Sequence, residues 1–266
     1  VATRPDAQAA IAAGQVTVSG SVADKAARQV APDEPVELLG PPSPYVSRGG
    51  VKLEAALNAF DVRVEGQRAL DAGASTGGFT DCLLQRGAPQ VYAVDVGHGQ
   101  LDQRLRHDPR VVVLERVNVR TLTAAQLSEA DAAFTPCPLI TADLSFISLT
   151  SVLPALCGEV AEQGADLVLL IKPQFEAGRA VVARGKGVVR DPSTWLSTLT
   201  TVTSALGEAG TGIMGVMVSP LTGPAGNVEY LAHARKGTPG VTGAELSGLL
   251  EAAVQDAVDR HQRSAD

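Results

Sequence analysis

Asp71-Ala-Gly73-Ala-Ser75-Thr76-Gly77-Gly78-Phe79 is the stretch on which the reading of this chain turns. A short apolar strand, Ala69–Asp71, runs into it, and a helix over Gly78–Arg86 runs out of it. Small residues let the main chain approach a ligand closely, and the start of a helix offers unpaired N–H groups. Strand, glycine turn and helix in this order open a nucleotide-binding α/β unit. The plain alternative is a tight turn in a ligand-free domain of the same class.

The pattern continues on both sides of the turn. Upstream, a helix starts near Gly50, with Leu53, Ala56, Leu57 and Phe60 on one stripe. Downstream, further strands are expected at Val91–Asp95, Val111–Leu114, Leu139–Asp143, Leu167–Lys172, Gly215–Ser219 and Val228–Ala232. Helices are expected at Leu149–Glu162, Ser193–Glu208 and Ala244–Arg260, the last carrying Leu246, Leu249, Leu250 and Val254. Alternating strands and helices, with strands rich in Val, Ile and Leu, predict a parallel sheet covered on both faces. The first forty residues differ. Ala9–Ala13 continues a short helix that stops at Gly14, Val16–Val18 and Val36–Leu39 read as strands, and Ser19–Gly20 reads as a turn. Gly40-Pro41-Pro42-Ser43-Pro44 then suits only a linker. The expected organisation is a small module over 1–40, a linker over 41–46 and an α/β domain over 47–266.

Composition narrows the function. The chain has 266 residues, of which 45% are hydrophobic and 19% charged, and this excludes a wholly disordered protein. The longest apolar runs, near Val111–Leu114 and Leu167–Ile171, fall far short of the roughly 20 residues that span a bilayer. No basic leader with an apolar stretch opens the sequence, so a cytoplasmic protein is expected. Cys82, Cys137 and Cys157 stand far apart, which predicts neither a disulfide framework nor a metal site. A net charge of −7 counts on its own against a nucleic-acid partner, because phosphates recruit Lys and Arg.

Polar residues at strand ends sharpen the expectation, since ligands in open α/β sheets bind beyond the carboxyl ends of the strands. Asp95 closes the second strand, where an acid accepts hydrogen bonds from both ribose hydroxyls of an adenosine. Ser75 replaces the middle glycine of the strict dinucleotide fingerprint, so a nucleotide-dependent oxidoreductase is disfavoured and S-adenosylmethionine is the expected cofactor. It is expected to rest on Asp71, Gly73 and Ser75 to Phe79, with Asn118 and Asp143 nearby. Lys172 follows five apolar residues and is partly desolvated there, although it could simply leave the sheet for water. Lys52 and Glu229 join Asp143 and Lys172 as candidates; each alone also suits a solvated face. Residues 177–190 carry Arg179, Arg184, Lys186 and Arg190 with no acid, a stretch able to guide phosphates. Arg4, Lys25 and Arg48 are further candidates for such contacts.

Six segments together resemble a known family: Tyr45–Leu53, Asp71–Phe79, Asp95–Leu101, Asp143–Ser148, Lys172–Glu176 and Ser219–Tyr230. They are similar to the TlyA family of ribosomal RNA 2'-O-methyltransferases, often labelled haemolysins, whose catalytic domain is FtsJ-like. The resemblance implies a Rossmann-like S-adenosylmethionine-dependent sheet and a Lys-Asp-Lys-Glu tetrad at Lys52, Asp143, Lys172 and Glu229. It implies a cytidine ribose in 16S or 23S ribosomal RNA, or in ribosomal subunits, as substrate. It also implies a ribosomal-protein S-four-like RNA-binding domain at the start, of which Arg4–Gly20 resembles the second half without its first helix. The family's other label offers a membrane-damaging haemolysin as an alternative, and an RNA-binding factor without catalysis is a third. Five of the nine aromatic residues (Tyr45, Phe79, Phe146, Phe175 and Tyr230) lie in these segments, which makes them expected walls for a cofactor and a flipped nucleotide.

Overall fold

The computed structural model describes residues 4–12, 15–23, 25–39, 44–178, 182, 183, 185 and 187–263. Its body is one seven-stranded sheet, and a three-stranded sheet lies near the amino end. The small sheet holds β1 (Val16–Val18) between β2 (Ser21–Val22) and β3 (Val36–Leu38), all antiparallel, with α1 (Arg4–Ala12) ahead of it. Ser19 and Gly20 both take positive φ, and their turn supplies the hairpin to β2, a strand too short to read in the sequence. Ala10, Val16, Val18 and Ala23 form a core of their own. The expected helix stop at Gly14 and residues 41–43 of the expected linker lie outside the described residues.

The large sheet is built from β4 (Ala69–Ala72), β5 (Val91–Asp95), β6 (Val111–Glu115), β7 (Cys137–Ala142), β8 (Ala161–Ile171), β9 (Thr211–Val218) and β10 (Tyr230–Lys236), in the order β6-β5-β4-β7-β8-β10-β9. The chain winds outward from β4 to β6 and then returns to place β7 on the other side of β4. That switch opens a crevice at the carboxyl ends of β4 and β7. Helices α2 (Gly49–Ala59) and α3 (Gly78–Gln85) pack with one face of the sheet through Leu53, Ala56, Leu57 and Leu83, all buried. On the other face, α8 (Pro192–Glu208) and α9 (Gly243–Arg263) contribute Leu199, Val202, Leu250 and Val254 to the larger core. Between these come the short helices α4 (Gln103–Arg106), α5 (Ala124–Ala130), α6 (Leu153–Leu156) and α7 (Pro173–Glu176).

The structure corrects two expectations. The sheet is not all parallel: β10 runs antiparallel to both β8 and β9. Residues 219–229, which join β9 to β10, contain no helix, and a parallel return needs a crossover of a dozen residues or more. Nor is 149–162 one helix. A 3-10 turn at Leu149–Ser151 leads into α6, which stops at Leu156, and β8 has already begun at Ala161. Gly158 sits so close to the Pro154 carbonyl that an added Cβ would lie 2.7 Å from it, which tightens this exit. β8 first pairs Ala161 with Cys137, then bulges before Asp166 meets Leu139, with Gly164 at φ +83° inside the bulge.

Candidate active site

The reversal of β10 builds the site. Glu229 stands immediately before an antiparallel strand whose first residue, Tyr230, pairs with Ile171 at the end of β8. Glu229 therefore reaches the same end of the sheet as Lys172, after β8, and Asp143, after β7. Lys52 arrives from the first turns of α2. All four candidates line one cavity of about 270 Å³, together with Ser47, Arg48, Gly49, Thr76, Gly78, Phe79, Ser145 and Thr222.

The four residues form two pairs. Lys52 Nζ donates to Glu229 Oε2 at 2.5 Å, with the residues only 7% and 2% exposed. Lys172, 8% exposed, places Nζ 2.5 Å from Asp143 Oδ1 and donates to Ser145 Oγ at 3.0 Å. The first of these two contacts is an ion pair off the hydrogen-bonding direction, so Asp143 Oδ1 is buried without an aligned donor. Lys52–Glu229 is buried on both sides, so removing one member leaves the other charge uncompensated, whereas Asp143 keeps part of its surface open. Each ammonium is anchored within reach of the cavity.

A second cavity of about 530 Å³ adjoins the first and shares Gly73, Ser75, Asp143 and Ser145 with it. Asp95, Gln100 and Asn118 line it with polar atoms; Val96, Val119, Leu144, Phe146 and Ile147 line it with apolar ones. Asp95 accepts from Ser75 N–H at 2.8 Å and from Gly97 N–H at 2.6 Å, so one carboxylate ties the glycine turn to the loop after β5. Asn118 Oδ1 accepts from the Arg120 amide. The turn itself needs its glycines. At Gly73, φ +85°, a Cβ would lie 2.6 Å from the Asp143 carbonyl; at Gly77, φ +99°, it would lie 2.2 Å from Leu105. A carboxylate and amides on one side, apolar walls on the other, and a close main-chain turn between them fit a nucleoside-bearing cofactor such as S-adenosylmethionine.

The remaining expected residues are distributed as follows. Asp71 lines neither cavity: it is wholly buried under the turn, accepting from Thr80 Oγ1 at 2.6 Å and Thr141 Oγ1 at 3.4 Å. Burial pushes its carboxyl up to about 7, opposed by the Thr80 hydrogen bond and reinforced by nearby Asp143. Arg48 lines the smaller cavity and donates to the Thr222 carbonyl at 2.9 Å. Arg4 and Lys25 are exposed on the small amino-terminal unit, away from both cavities. Arg179, Arg184 and Lys186 lie outside the described residues. Of the aromatic residues, Phe79 walls the smaller cavity and Phe146 the larger, whereas Tyr230 is buried against Trp195. Ser47, Gln100, Ser145 and Thr222 also line the cavities; all four lie within the six family-like segments, but a lone Ser, Thr or Gln carries no local signal of a site. Among the described residues no cluster of His, Cys, Asp and Glu could hold a metal ion, and no helix is long and apolar enough to cross a membrane.

Comparison with known proteins agrees with this geometry. The family model described as FtsJ-like methyltransferase matches residues 45–236. The 16S/23S rRNA (cytidine-2'-O)-methyltransferase TlyA of Mycobacterium tuberculosis is 48% identical over 237 residues, 89% of this chain and 85% of that protein. A solved structure named as a candidate hemolysin of Streptococcus thermophilus is 38% identical, with a TM-score of 0.79 over 98% of this chain and 94% of that one. A candidate S-adenosylmethionine-dependent methyltransferase of Listeria monocytogenes shares the fold alone, at 13% identity and a TM-score of 0.52 over 71% of this chain and 98% of that one. With a family match across the whole sheet and close relatives along most of its length, the chain belongs to the FtsJ-like methyltransferases, within the TlyA family.

Proposed function

We propose that this protein methylates a ribose 2'-hydroxyl of ribosomal RNA, at cytidine, using S-adenosylmethionine. The observation that carries the reading is the two lysine–carboxylate contacts, buried Lys52–Glu229 and half-buried Lys172–Asp143, in a cavity joined to one that suits a nucleoside. The cytidine and the ribosomal RNA come from the TlyA relative, which is named for that reaction.

S-adenosylmethionine supplies an electrophilic methyl group when bound. Asp95 would hold its ribose, Gly73 to Phe79 would receive its amino-acid end, and Asn118 would face its base. A hydroxyl is a poor nucleophile until its proton is shared or removed. As the ammonium held by Asp143 and Ser145, Lys172 orients an oxygen lone pair by donating a hydrogen bond to it; as the neutral amine, after passing its own proton to Asp143 or to solvent, it takes up the hydroxyl proton. Lys52, held by Glu229, supplies a second positive charge facing the same cavity and positions the target ribose. Fixing the acceptor in this way removes much of the entropic part of the barrier.

Residues 1–40 serve as an RNA-binding module, joined through 41–46 to the catalytic domain at 47–266. Arg4, Lys25 and Arg48, with Arg179, Arg184 and Lys186, contribute phosphate contacts. The test pairs Lys172→Ala with wild type in a labelled-methyl assay on unmodified ribosomal subunits, with cofactor affinity measured by calorimetry and methylated riboses mapped. Transfer is expected to fall by at least roughly 100-fold, the scale of a lost general acid–base group, with cofactor affinity retained. Near-wild-type turnover removes Lys172 from the mechanism.

A further inference from the structure

Two loops meet at the site edge, and their contacts run in register. Lys172 touches Asp143 and Ser145; Phe175 lies against Phe146, with ring centroids 5.3 Å apart; Glu176 accepts from Ser148 Oγ at 2.5 Å and from Leu149 N–H at 2.7 Å. Lys172, Phe175 and Glu176 have the i, i+3, i+4 spacing of one helical face, across a turn closed by Phe175 N–H to Lys172 O and Ala177 N–H to Pro173 O. Facing them, the 143–149 segment carries Asp143 and Ser145, which line both cavities, and Leu144, Phe146 and Ile147, which line the larger one.

Phe146 shows why such a zip is needed. It holds φ +63° with its residue 92% exposed, a left-handed conformation that a bulky aromatic residue adopts only under constraint. Exposure on that scale means that packing around the ring does not impose it. The constraint comes from the two sides of the residue: Ser145 is held by Lys172, and Ser148 and Leu149 are held by Glu176. Glu176 itself lines neither cavity.

We infer that Glu176 is a positioning residue for the reaction: its carboxylate locks the 143–149 loop onto the 172–176 turn, fixing Phe146 and the Lys172–Asp143 pair relative to each other. The inference rests on the proposed methyltransferase reading for its kinetic consequence, and on geometry alone for the lock.

Glu176→Ala, Glu176→Gln, Glu176→Asp, Ser148→Ala and the Ser148→Ala/Glu176→Ala double variant test it, by steady-state methyl transfer and by hydrogen exchange of peptides covering 143–152. Glu176→Ala is expected to lower kcat by roughly 10- to 100-fold, the cost of misplacing reacting groups by about 1 Å, and to speed exchange across 144–149. Glutamine keeps the length and can meet both partners, so Glu176→Gln is expected to restore most of kcat and the slow exchange. Aspartate is one methylene short, so Glu176→Asp is expected to resemble alanine. The double variant is expected to lose far less than the product of the two single losses. If Glu176→Ala does not fold, Ser148→Ala, which removes one tie, is expected to show both effects in weaker form. Unchanged exchange in both alanine variants overturns the lock. A glutamine variant as inactive as alanine, or fully multiplicative losses, overturns the positioning role. A wild-type protein that transfers no methyl group refutes the functional reading instead, and the exchange data still decide the lock.

Discussion

Lys52 and Glu229 meet at the bottom of the reactive cavity with almost no access to solvent. A buried ion pair is weak evidence for stability, because desolvation offsets most of the attraction, yet breaking it is expensive. Two outcomes are therefore expected to diverge. Glu229→Ala leaves an ammonium without a partner and is expected to cost about 3–5 kcal/mol in chemical denaturation. Lys52→Met/Glu229→Leu replaces both charges with apolar groups of similar size and is expected to lie within about 1–2 kcal/mol of wild type while abolishing methyl transfer. A double variant as unstable as Glu229→Ala would mean that the pair is there for the fold.

Asp71 makes a separate prediction at this scale. Burial raises its carboxyl to about 7 in the folded state, well above the ordinary carboxylate value of 3.8. The folded protein therefore binds the proton more tightly than the unfolded chain does. The stability this contributes is complete below about pH 4 and is lost as pH rises toward 7, at about 1 kcal/mol per pH unit. Asp71→Asn cannot ionise. The wild-type stability minus that of the variant is expected to decline between pH 4 and 7 and then level off, as measured by denaturant titration across that range. A difference that rises with pH would show that the carboxylate, held by Thr80 and Thr141, is the favoured form.

At the scale of elements, the 219–229 connection has the most influence on the site, since it turns β10 around and delivers Glu229. Gly223 packs against that residue: a Cβ would lie 2.7 Å from Glu229 Oε1. Gly223→Ala is expected to displace the carboxylate and lower transfer by roughly 10- to 100-fold, with a smaller effect on melting temperature. An unchanged rate would place the loop's tolerance above the clash. This element also marks where sequence reading stopped. The turn and the strand ends were legible because each carries local chemistry: small residues at a tight turn, and Asp95, Asp143 and Lys172 after apolar runs. Lys52 and Glu229, each of which alone suits a solvated face, gained their place beside them only through the family resemblance. The direction of β10 was not, because an apolar run reads the same in either direction and only pairing partners orient it. The pairing of Lys52 with Glu229 depended likewise on contacts between distant segments, whereas β2, two residues long in a local hairpin, is too short to carry a pattern. The over-long helix at 149–162 has a different cause. Its apolar residues fit a helical stripe, and where β8 begins, Ala161 is followed by three exposed residues, so neither alternation nor a continuous apolar run marks the start of the strand.

At the scale of the whole molecule, a net charge of −7 has to be reconciled with the proposed RNA substrate. The overall field repels phosphate, so attraction has to come from a few placed cations, among them Arg48 in the lining of the reactive cavity. Each phosphate neutralised releases counterions and contributes about 0.7–0.9 to the slope of log affinity against log salt. Six such contacts predict a slope of roughly −4 to −5 for ribosomal RNA fragments. Arg48→Ala is expected to weaken binding across RNA sequences and to reduce that slope by about 1. Arg48 also donates to the Thr222 carbonyl, so the same variant loosens the loop that delivers Glu229. A drop in kcat at saturating RNA with the slope intact would assign Arg48 to that loop, whereas a reduced slope with kcat retained assigns it to phosphate. A salt response that is flat for the wild-type protein would exclude placed cations altogether and leave shape as the basis of recognition.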